Sequence, residues 1–103
     1  MKVKDDEQRR AWRSALLLDL TYEGAGVRTE TRISDISVTG VYIETMSPVP
    51  VGSNLKLAFT LPNGYVVHAD GVVVHRQPQT GIGVKFTNLD PNDARLIREF
   101  IRA

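Results

Sequence analysis

Two clusters of polar side chains have the residue types and spacing of a ligand-binding site. The first is Arg9-Arg10-Ala11-Trp12-Arg13, which places three arginines and one aromatic ring within five residues. A guanidinium presents a planar fork of donors that matches phosphate oxygens, and the same plane stacks on a nucleobase. The alternative is a solvated charged terminus, because Asp5, Asp6 and Glu7 balance the arginines.

The second cluster is Asp35-Ile36-Ser37-Val38-Thr39-Gly40, which lies between two predicted strands. A carboxylate such as Asp35 accepts paired hydrogen bonds from a guanine edge, whose ring N–H and amino group are adjacent donors. Ser37 either donates to a phosphate or braces the loop, and Gly40 permits a positive φ or a close backbone approach. The alternative is a simple turn between strands that needs no ligand.

Composition excludes several classes of function. The chain has 103 residues, which is enough for one domain, and 42% of them are hydrophobic. It has no cysteine, which excludes disulfides, thiolate zinc sites, iron–sulfur clusters and cysteine nucleophiles. The net charge of +1 does not indicate a nucleic-acid binder. Acidic residues near the start and the lack of a long apolar run argue against a signal peptide and a membrane span, so we expect a cytoplasmic protein.

Short apolar segments separated by turns predict the elements that position these clusters. Alternating or β-branched patterns predict strands near residues 14–22, 27–36, 41–45, 55–61, 65–76 and 82–86. Asn63-Gly64 predicts a tight hairpin, and Asp90-Pro91 predicts the start of a helix. Residues 1–13 are predicted to form a flexible arm. Six short strands and a closing helix indicate a small antiparallel barrel or a sandwich.

The ordered pair of motifs resembles the PilZ domain family. The arginines form RxxxR, extended by Arg10 to RRxxR, and DxSxxG follows about twenty residues later. The segment 81–86 and the closing helix extend the resemblance over essentially the whole chain. The family implies a mainly β fold in one domain, 1–103. It comprises a flexible arm (1–13), a split-barrel-like, six-stranded antiparallel β-barrel (14–89) and a C-terminal α-helix (90–102).

The resemblance also implies a ligand, the bacterial second messenger cyclic di-GMP. Its implied binding residues in this chain are Arg9, Arg10, Arg13, Asp35, Ser37, Gly40, His75 and Arg76. The arginines would grip phosphates and guanine faces, whereas Asp35, Ser37 and Gly40 would contact a guanine from the barrel side. Many family members carry a tryptophan at the end of the fifth strand, where this chain has His75 and Arg76 as alternative flat surfaces.

Two residues near these clusters are given other roles. Trp12 is interpreted as an anchor that holds the arm against the apolar edge of the barrel, with stacking on a ligand as the alternative. His68 is interpreted as structural, and an ordinary half-exposed strand histidine is the alternative for His75.

The functional prediction is a cyclic di-GMP receptor or adaptor. The dinucleotide would join the arm to the DxSxxG loop, and the resulting change of conformation would regulate an effector protein in trans. One ligand molecule or an intercalated pair is expected, on a monomer that binds no metal or other cofactor. We expect no DNA or RNA partner and no membrane insertion.

Three other functions remain as alternatives. A PilZ-fold interaction adaptor would have weak or no nucleotide binding, although such relatives typically lack the arginine or DxSxxG residues present here. A single-strand nucleic-acid binder needs a basic groove with interleaved aromatic rings, whereas only 7% of this chain is aromatic. An enzyme is the weakest reading, because no catalytic triad order, metal-ligand spacing or glycine-rich phosphate loop before a helix is present.

Overall fold

The computed structural model describes residues 18–24, 26–47 and 49–102. These residues form six strands and one helix, with bounds β1 Leu18–Gly24, β2 Val27–Ile36, β3 Gly40–Glu44, β4 Asn54–Thr60, β5 Val66–Gln77, β6 Gly81–Asn88 and α1 Pro91–Arg102. The strands pair antiparallel and close into a barrel in the order β1-β2-β3-β6-β5-β4. The barrel predicted by the family resemblance is therefore confirmed, and the sandwich is excluded.

Strict alternation in β4 places one apolar face inside the barrel. Leu55, Leu57 and Phe59 are each no more than 2% exposed, whereas the residues between them face outward or are partly covered. The same alternation in β6 buries Ile82 and Val84. Because successive strand residues point to opposite faces, this apolar spacing was sufficient to predict the inward side of both strands.

The hydrophobic face of α1 closes over the core of the barrel. Ile97 is fully buried and belongs to the same apolar cluster as the barrel interior. Asp90 caps the helix as predicted, because its carboxylate accepts a hydrogen bond from the Asn92 N–H at 2.7 Å. No helix among the described residues is long and apolar enough to cross a membrane.

A buried carboxylate ties the start of α1 to the β4–β5 hairpin. The Tyr65 hydroxyl donates to Asp93 Oδ1 at 2.7 Å, and Asp93 is only 7% exposed. This hydrogen bond, with a smaller contribution from desolvation, raises the pKa of Tyr65 above its ordinary value. The contact joins the first turn of the helix to the hairpin.

Replacement of Tyr65 by Phe should lower the melting temperature and change its dependence on pH. The folded state holds the phenol proton more tightly than the unfolded chain does, because Asp93 accepts it. The stabilisation is therefore present below the ordinary tyrosine pKa of 10.0 and is lost as the pH rises through the raised folded value. Thermal melts of both proteins across this range test the prediction, and identical melting at every pH would contradict it.

The chain enters the barrel at the end where the DxSxxG motif lies. Leu18, the first described residue, pairs with Ile33, which is two positions before Asp35. β2 then leads directly into the loop that ends at Gly40. The start of β1 therefore lies beside the motif, and not at the opposite end of the barrel.

Candidate functional site

The loop between β2 and β3 is held in one conformation by its own hydrogen bonds. The Ser37 N–H donates to the Gly40 carbonyl at 2.9 Å, and the Thr39 N–H donates to Ser37 Oγ at 3.2 Å. The Ser37 and Thr39 hydroxyls share a further bond of 2.9 Å. Ser37 therefore braces the loop, which is one of the two roles that its sequence position allowed.

Contacts with the barrel also hold this loop. Val38 is half-buried and packs against the hydrophobic core, and the Phe86 N–H of β6 donates to the Thr39 carbonyl at 2.9 Å. The loop is thus pinned from inside by an apolar side chain and from the side by a neighbouring strand. A loop constrained in this way presents its polar groups in a fixed arrangement, which reduces the entropy lost when a ligand binds.

Gly40 is required by the close approach of two strands. A Cβ at this position would run into the Val84 carbonyl oxygen of β6, which is backbone and has little freedom to move. Gly40 is not among the glycines of positive φ. Of the two reasons for glycine that the sequence left open, the structure supports close backbone approach, here to β6.

Replacement of Gly40 by Ala should destabilise the barrel, whereas Gly83→Ala should be tolerated. The added methyl group at position 40 would meet backbone, and overpacking of this kind costs about 1–3 kcal/mol. At Gly83, the nearest atom to an added Cβ is the His75 Cβ at 3.4 Å, an ordinary contact. Chemical denaturation of both variants measures the difference, and equal free energies of unfolding would refute this role of Gly40.

A β-bulge turns Asp35 to the outside of the barrel. Ile33 pairs with Ile43 and Asp35 pairs with Tyr42, so that Ser34 is an extra residue in β2. Without the bulge, Asp35 would share the inward side of Ile33, because strand side chains alternate. The irregularity therefore decides that this carboxylate is available to a ligand.

A second bulge in β5 has the same effect on His75. Val73 pairs with Val84 and His75 pairs with Gly83, so that Val74 is the extra residue. The bulge leaves the Val74 side chain 53% exposed on the outer surface. His75 therefore faces outward, although the alternation that starts from the buried Val73 would point it inward.

The two bulges align four residues across the outer face. Asp35 pairs with Tyr42, Tyr42 with Gly83, and Gly83 with His75. Directly opposed residues of neighbouring strands project from the same face of the sheet. Asp35 and His75 are three strand spacings apart, which is about 14 Å. We call these four residues the cross-strand row. Arg76 is outside it, because it pairs with Ile82 on the alternate register.

A shallow pocket of about 480 Å³ lies between this row and the braced loop. Its lining includes Ser37, Thr39, Tyr42, Val74 and Lys85. Lys85 is exposed, and it has no ion-pair partner within the part of the chain that the structure describes. The pocket therefore combines hydroxyl groups, an apolar wall, an aromatic ring and a cation, a set suited to an anion that carries aromatic bases.

Partial burial changes the proton affinity of Asp35. Desolvation raises the pKa of its carboxyl above the ordinary value of 3.8. No group of acidic, histidine or cysteine side chains in the described ranges is arranged to hold a metal ion.

The structure brings together only some of the predicted site residues. Asp35, Ser37, Gly40 and His75 lie around one face, whereas Arg76 lies at its margin. Arg9, Arg10 and Arg13, together with Trp12, lie outside the described residues. His68 is exposed and pairs with Ala58 on a different part of the outer surface.

The sequence interpretation missed Tyr42, Val74 and Lys85 as parts of this face. Lys85 alternates regularly with the buried Val84, so strand periodicity was the available signal for its outward direction. The same signal was available for Tyr42, which lies between the buried Val41 and Ile43. Val74 had no such signal, because its position depends on the β5 bulge.

Comparison with known proteins identifies relatives of the chain. A family model described as PilZ domain matches residues 7–103, a range that includes the three arginines of the first motif. No curated protein matches the chain in a sequence comparison.

Three solved structures have a similar fold. Bacillus subtilis inhibitor of motility, MotI/DgrA, matches with a TM-score of 0.71 and 14% identity, over 84% of this chain and 46% of that one. The PilZ domain of CeSA from a cellulose-synthesizing bacterium has a TM-score of 0.64 and 11% identity, over 84% and 90%. Borreliella burgdorferi PlzA, solved in complex with c-di-GMP, has a TM-score of 0.60 and 14% identity, over 94% and 37%.

These three likenesses concern the fold, since all identities are low. The chain spans about half of the MotI/DgrA chain and just over a third of the PlzA chain. It corresponds to nearly all of the CeSA domain.

Proposed function

The chain belongs to the PilZ domain family, and we propose that it is a receptor for cyclic di-GMP. The ligand binds between the arginines of residues 9–13 and the outer face formed by the braced loop and the cross-strand row. The observation that carries this proposal is the outward position of Asp35, which pairs with Tyr42, a residue that lines a pocket of about 480 Å³. PlzA, which has a similar fold, was solved with the same ligand.

Asp35 supplies selectivity for guanine. Its two carboxylate oxygens accept hydrogen bonds from the ring N–H and the amino group of the guanine edge. Adenine presents an unprotonated ring nitrogen at the equivalent position, which a carboxylate repels. The braced Ser37–Gly40 loop holds the site next to the adjoining ligand backbone without rearranging.

The arginines supply the charge that two phosphates require. Arg9, Arg10 and Arg13 bind phosphate oxygens and guanine faces or Hoogsteen edges. Arg13 is five residues before Leu18. An extended chain of five residues reaches about 17 Å. Since Leu18 pairs with Ile33 next to the motif, this length allows Arg13 to reach the pocket.

Binding acts as a switch by ordering the arginine-bearing segment across the outer face of the barrel. The composite surface of protein and ligand is then recognised by an effector protein. Hydrogen exchange with and without ligand tests this step. Equal protection of the amides in residues 1–17 would exclude the switch while leaving ligand binding intact.

Calorimetric titration of cyclic di-GMP into the purified protein tests the receptor function itself. GTP and cyclic di-AMP are the controls, because the first lacks the cyclic dinucleotide backbone and the second lacks the guanine edge. We expect saturable binding of cyclic di-GMP alone, with a stoichiometry that distinguishes one ligand from an intercalated pair. Absence of heat at high micromolar ligand would favour a PilZ-fold adaptor that recognises only proteins.

Cyclic di-GMP affinity should fall as the pH is lowered through the raised pKa of Asp35. The ligand needs the ionised carboxylate of Asp35, and desolvation raises the pKa of that group above 3.8. Protonation therefore competes with the ligand at a higher pH than it would at an unperturbed aspartate. Titrations at several pH values measure the effect. Asp35→Asn should bind weakly at every pH, and a wild-type affinity that stays constant would contradict this role.

The raised pKa of Asp35 also affects the free energy of unfolding, and near neutral pH it lowers that free energy. Because the folded state holds the Asp35 proton more tightly than the unfolded chain, ionised Asp35 disfavours folding near neutral pH. This penalty disappears as the pH falls through the raised folded pKa. Asp35→Asn should therefore melt no lower than the wild-type protein at neutral pH, which makes it a folded control for the titrations.

A further inference from the structure

The ring of Tyr42 lies over the backbone of β6. A Cβ built at Gly81 would come within 2.7 Å of Tyr42 Cε2 and 3.0 Å of Tyr42 Cζ. At Gly83, the corresponding Cβ lies 3.9 Å from Tyr42 Cδ1. The ring thus occupies the space that a side chain at position 81 would fill, and it lies in ordinary contact distance of position 83. The Gly81-x-Gly83 pattern leaves that space open.

The far end of the ring is also held. Its hydroxyl donates to Gln77 Oε1 at 3.1 Å, which joins β3 to β5 across β6. Tyr42 is half-buried, as expected for a ring with one face on a strand and the other toward solvent. An aromatic ring fixed at both ends offers a flat surface that loses little entropy when a ligand covers it.

Covering glycines in a sheet is by itself a stabilising role for an aromatic ring. Three neighbours of Tyr42 indicate a role in recognition as well. Asp35 is its direct partner on β2, about 5 Å away and on the same face. The exposed Val74 and Lys85 line the same pocket as the ring.

We propose that Tyr42 is the platform on which a guanine of the ligand stacks, an inference that rests on the proposed function. The ring lies along the sheet, whereas the Asp35 side chain stands off the sheet from the neighbouring strand. A base stacked on the exposed face of the ring therefore lies at the same distance above the sheet as the Asp35 carboxylate. Its hydrogen-bonding edge then faces Asp35, so that one row of the barrel supplies both stacking and selectivity.

The neighbouring strand β5 flanks this platform with a second ring. His75 is one strand beyond Gly83 in the cross-strand row and borders the platform on the side away from Asp35. The base therefore lies between a carboxylate on one side and an imidazole on the other, with the tyrosine ring beneath it.

Affinity measurements on three variants test the platform. Tyr42→Phe keeps the ring and loses only the hydroxyl, so we expect a dissociation constant within about threefold of wild type. Tyr42→Leu keeps apolar volume and loses the aromatic face, so we expect binding weakened by about 10-fold to 100-fold. Tyr65→Leu is the matched control, because it removes a tyrosine ring at the opposite end of β5 and should leave affinity unchanged.

A second measurement needs no variant. In the wild-type complex, stacking places the guanine protons within the ring current of Tyr42. We expect nuclear Overhauser contacts between the bound base and the Tyr42 ring, together with an upfield shift of the guanine H8 resonance. Contacts of the base with His75 alone would overturn the proposal, whether or not Tyr42→Leu folds.

The outcomes separate the platform from the receptor function. Wild-type binding of cyclic di-GMP with unchanged affinity in Tyr42→Leu refutes the platform and leaves the receptor function in place. Absence of wild-type binding refutes both. Equal weakening in Tyr42→Phe and Tyr42→Leu would assign the effect to the hydroxyl and its bond to Gln77, which also overturns stacking.

Discussion

Asp35→Ala and Arg13→Ala should each weaken cyclic di-GMP binding by about 10-fold to 150-fold. Each substitution removes a charge-assisted hydrogen bond to the ligand, which contributes about 1.5–3 kcal/mol. Asp35→Ala leaves the donors of the guanine edge without their acceptors, and Arg13→Ala leaves a phosphate without its counter-charge. Calorimetric titration of both variants under the same conditions as wild type measures the change.

The two variants also differ from each other in a measurable way. Loss of the Asp35 carboxylate should reduce discrimination between cyclic di-GMP and cyclic di-AMP, because adenine is no longer repelled. Loss of the Arg13 guanidinium should weaken both ligands and reduce the dependence of affinity on salt. Unfolding does not explain the loss in Asp35→Ala, since Asp35 lies outside the core. An unchanged dissociation constant in both variants would refute the site.

Leu57→Ala should reduce the free energy of unfolding by about 2–5 kcal/mol. Leu57 is 2% exposed, at the centre of β4. Truncation removes apolar contacts and leaves a cavity. The neighbouring strands cannot readily move to fill it, because β4 is paired on both sides in a closed barrel. For a domain of this size, such a loss is a large share of the total stability. Urea or guanidinium denaturation gives the value.

Val51→Ala is the matched control for this truncation. Its side chain is 60% exposed in the loop before β4, so its removal should change stability by less than about 0.5 kcal/mol. Comparable losses in the two variants would mean that β4 does not present Leu57 to the interior. A large loss in Leu57→Ala alone would establish the inward face of β4 in solution.

The sequence was sufficient to predict the elements whose patterns are regular. The alternation of Leu55, Leu57 and Phe59 predicted both the strand and its buried face. Asn63-Gly64 predicted the hairpin, and Gly64 does adopt a positive φ of 92°. Asp90 predicted the start of α1. In each case the determining interaction is local, because it depends on residues only a few positions apart.

The bounds of β1 were predicted less well. The apolar segment ends at residue 22, whereas β1 continues through Gly24. Pairing with β2 and β4 extends the strand beyond its apolar residues, since Glu23 pairs with both Arg28 and Lys56. Ladder hydrogen bonds and cross-strand charges favour strand structure there, and the hydrophobic pattern contains neither signal.

The RRxxR and DxSxxG motifs indicated which residues could form the binding site. For Ser37, the sequence left open donation to a phosphate or bracing of the loop, and the structure shows the bracing hydrogen bond from the Thr39 N–H. The family resemblance predicted the barrel around it, which is also confirmed. The roles of Arg9, Arg10 and Arg13 in ligand binding stay predictions, to be tested by the Arg13→Ala titration.

The sequence by itself thus determined the strands, the turns, the helix and the family of this protein, because those features depend on local periodicity and short motifs. The tertiary structure decided which side chains share the outer face. Two bulges, at Ser34 and Val74, reverse the alternation and turn Asp35 and His75 outward. Tyr42 lies between them only because β3 pairs with the glycines of β6. Strand register joins residues up to 45 positions apart, as in the pair Gly40 and Lys85, and no local pattern specifies it.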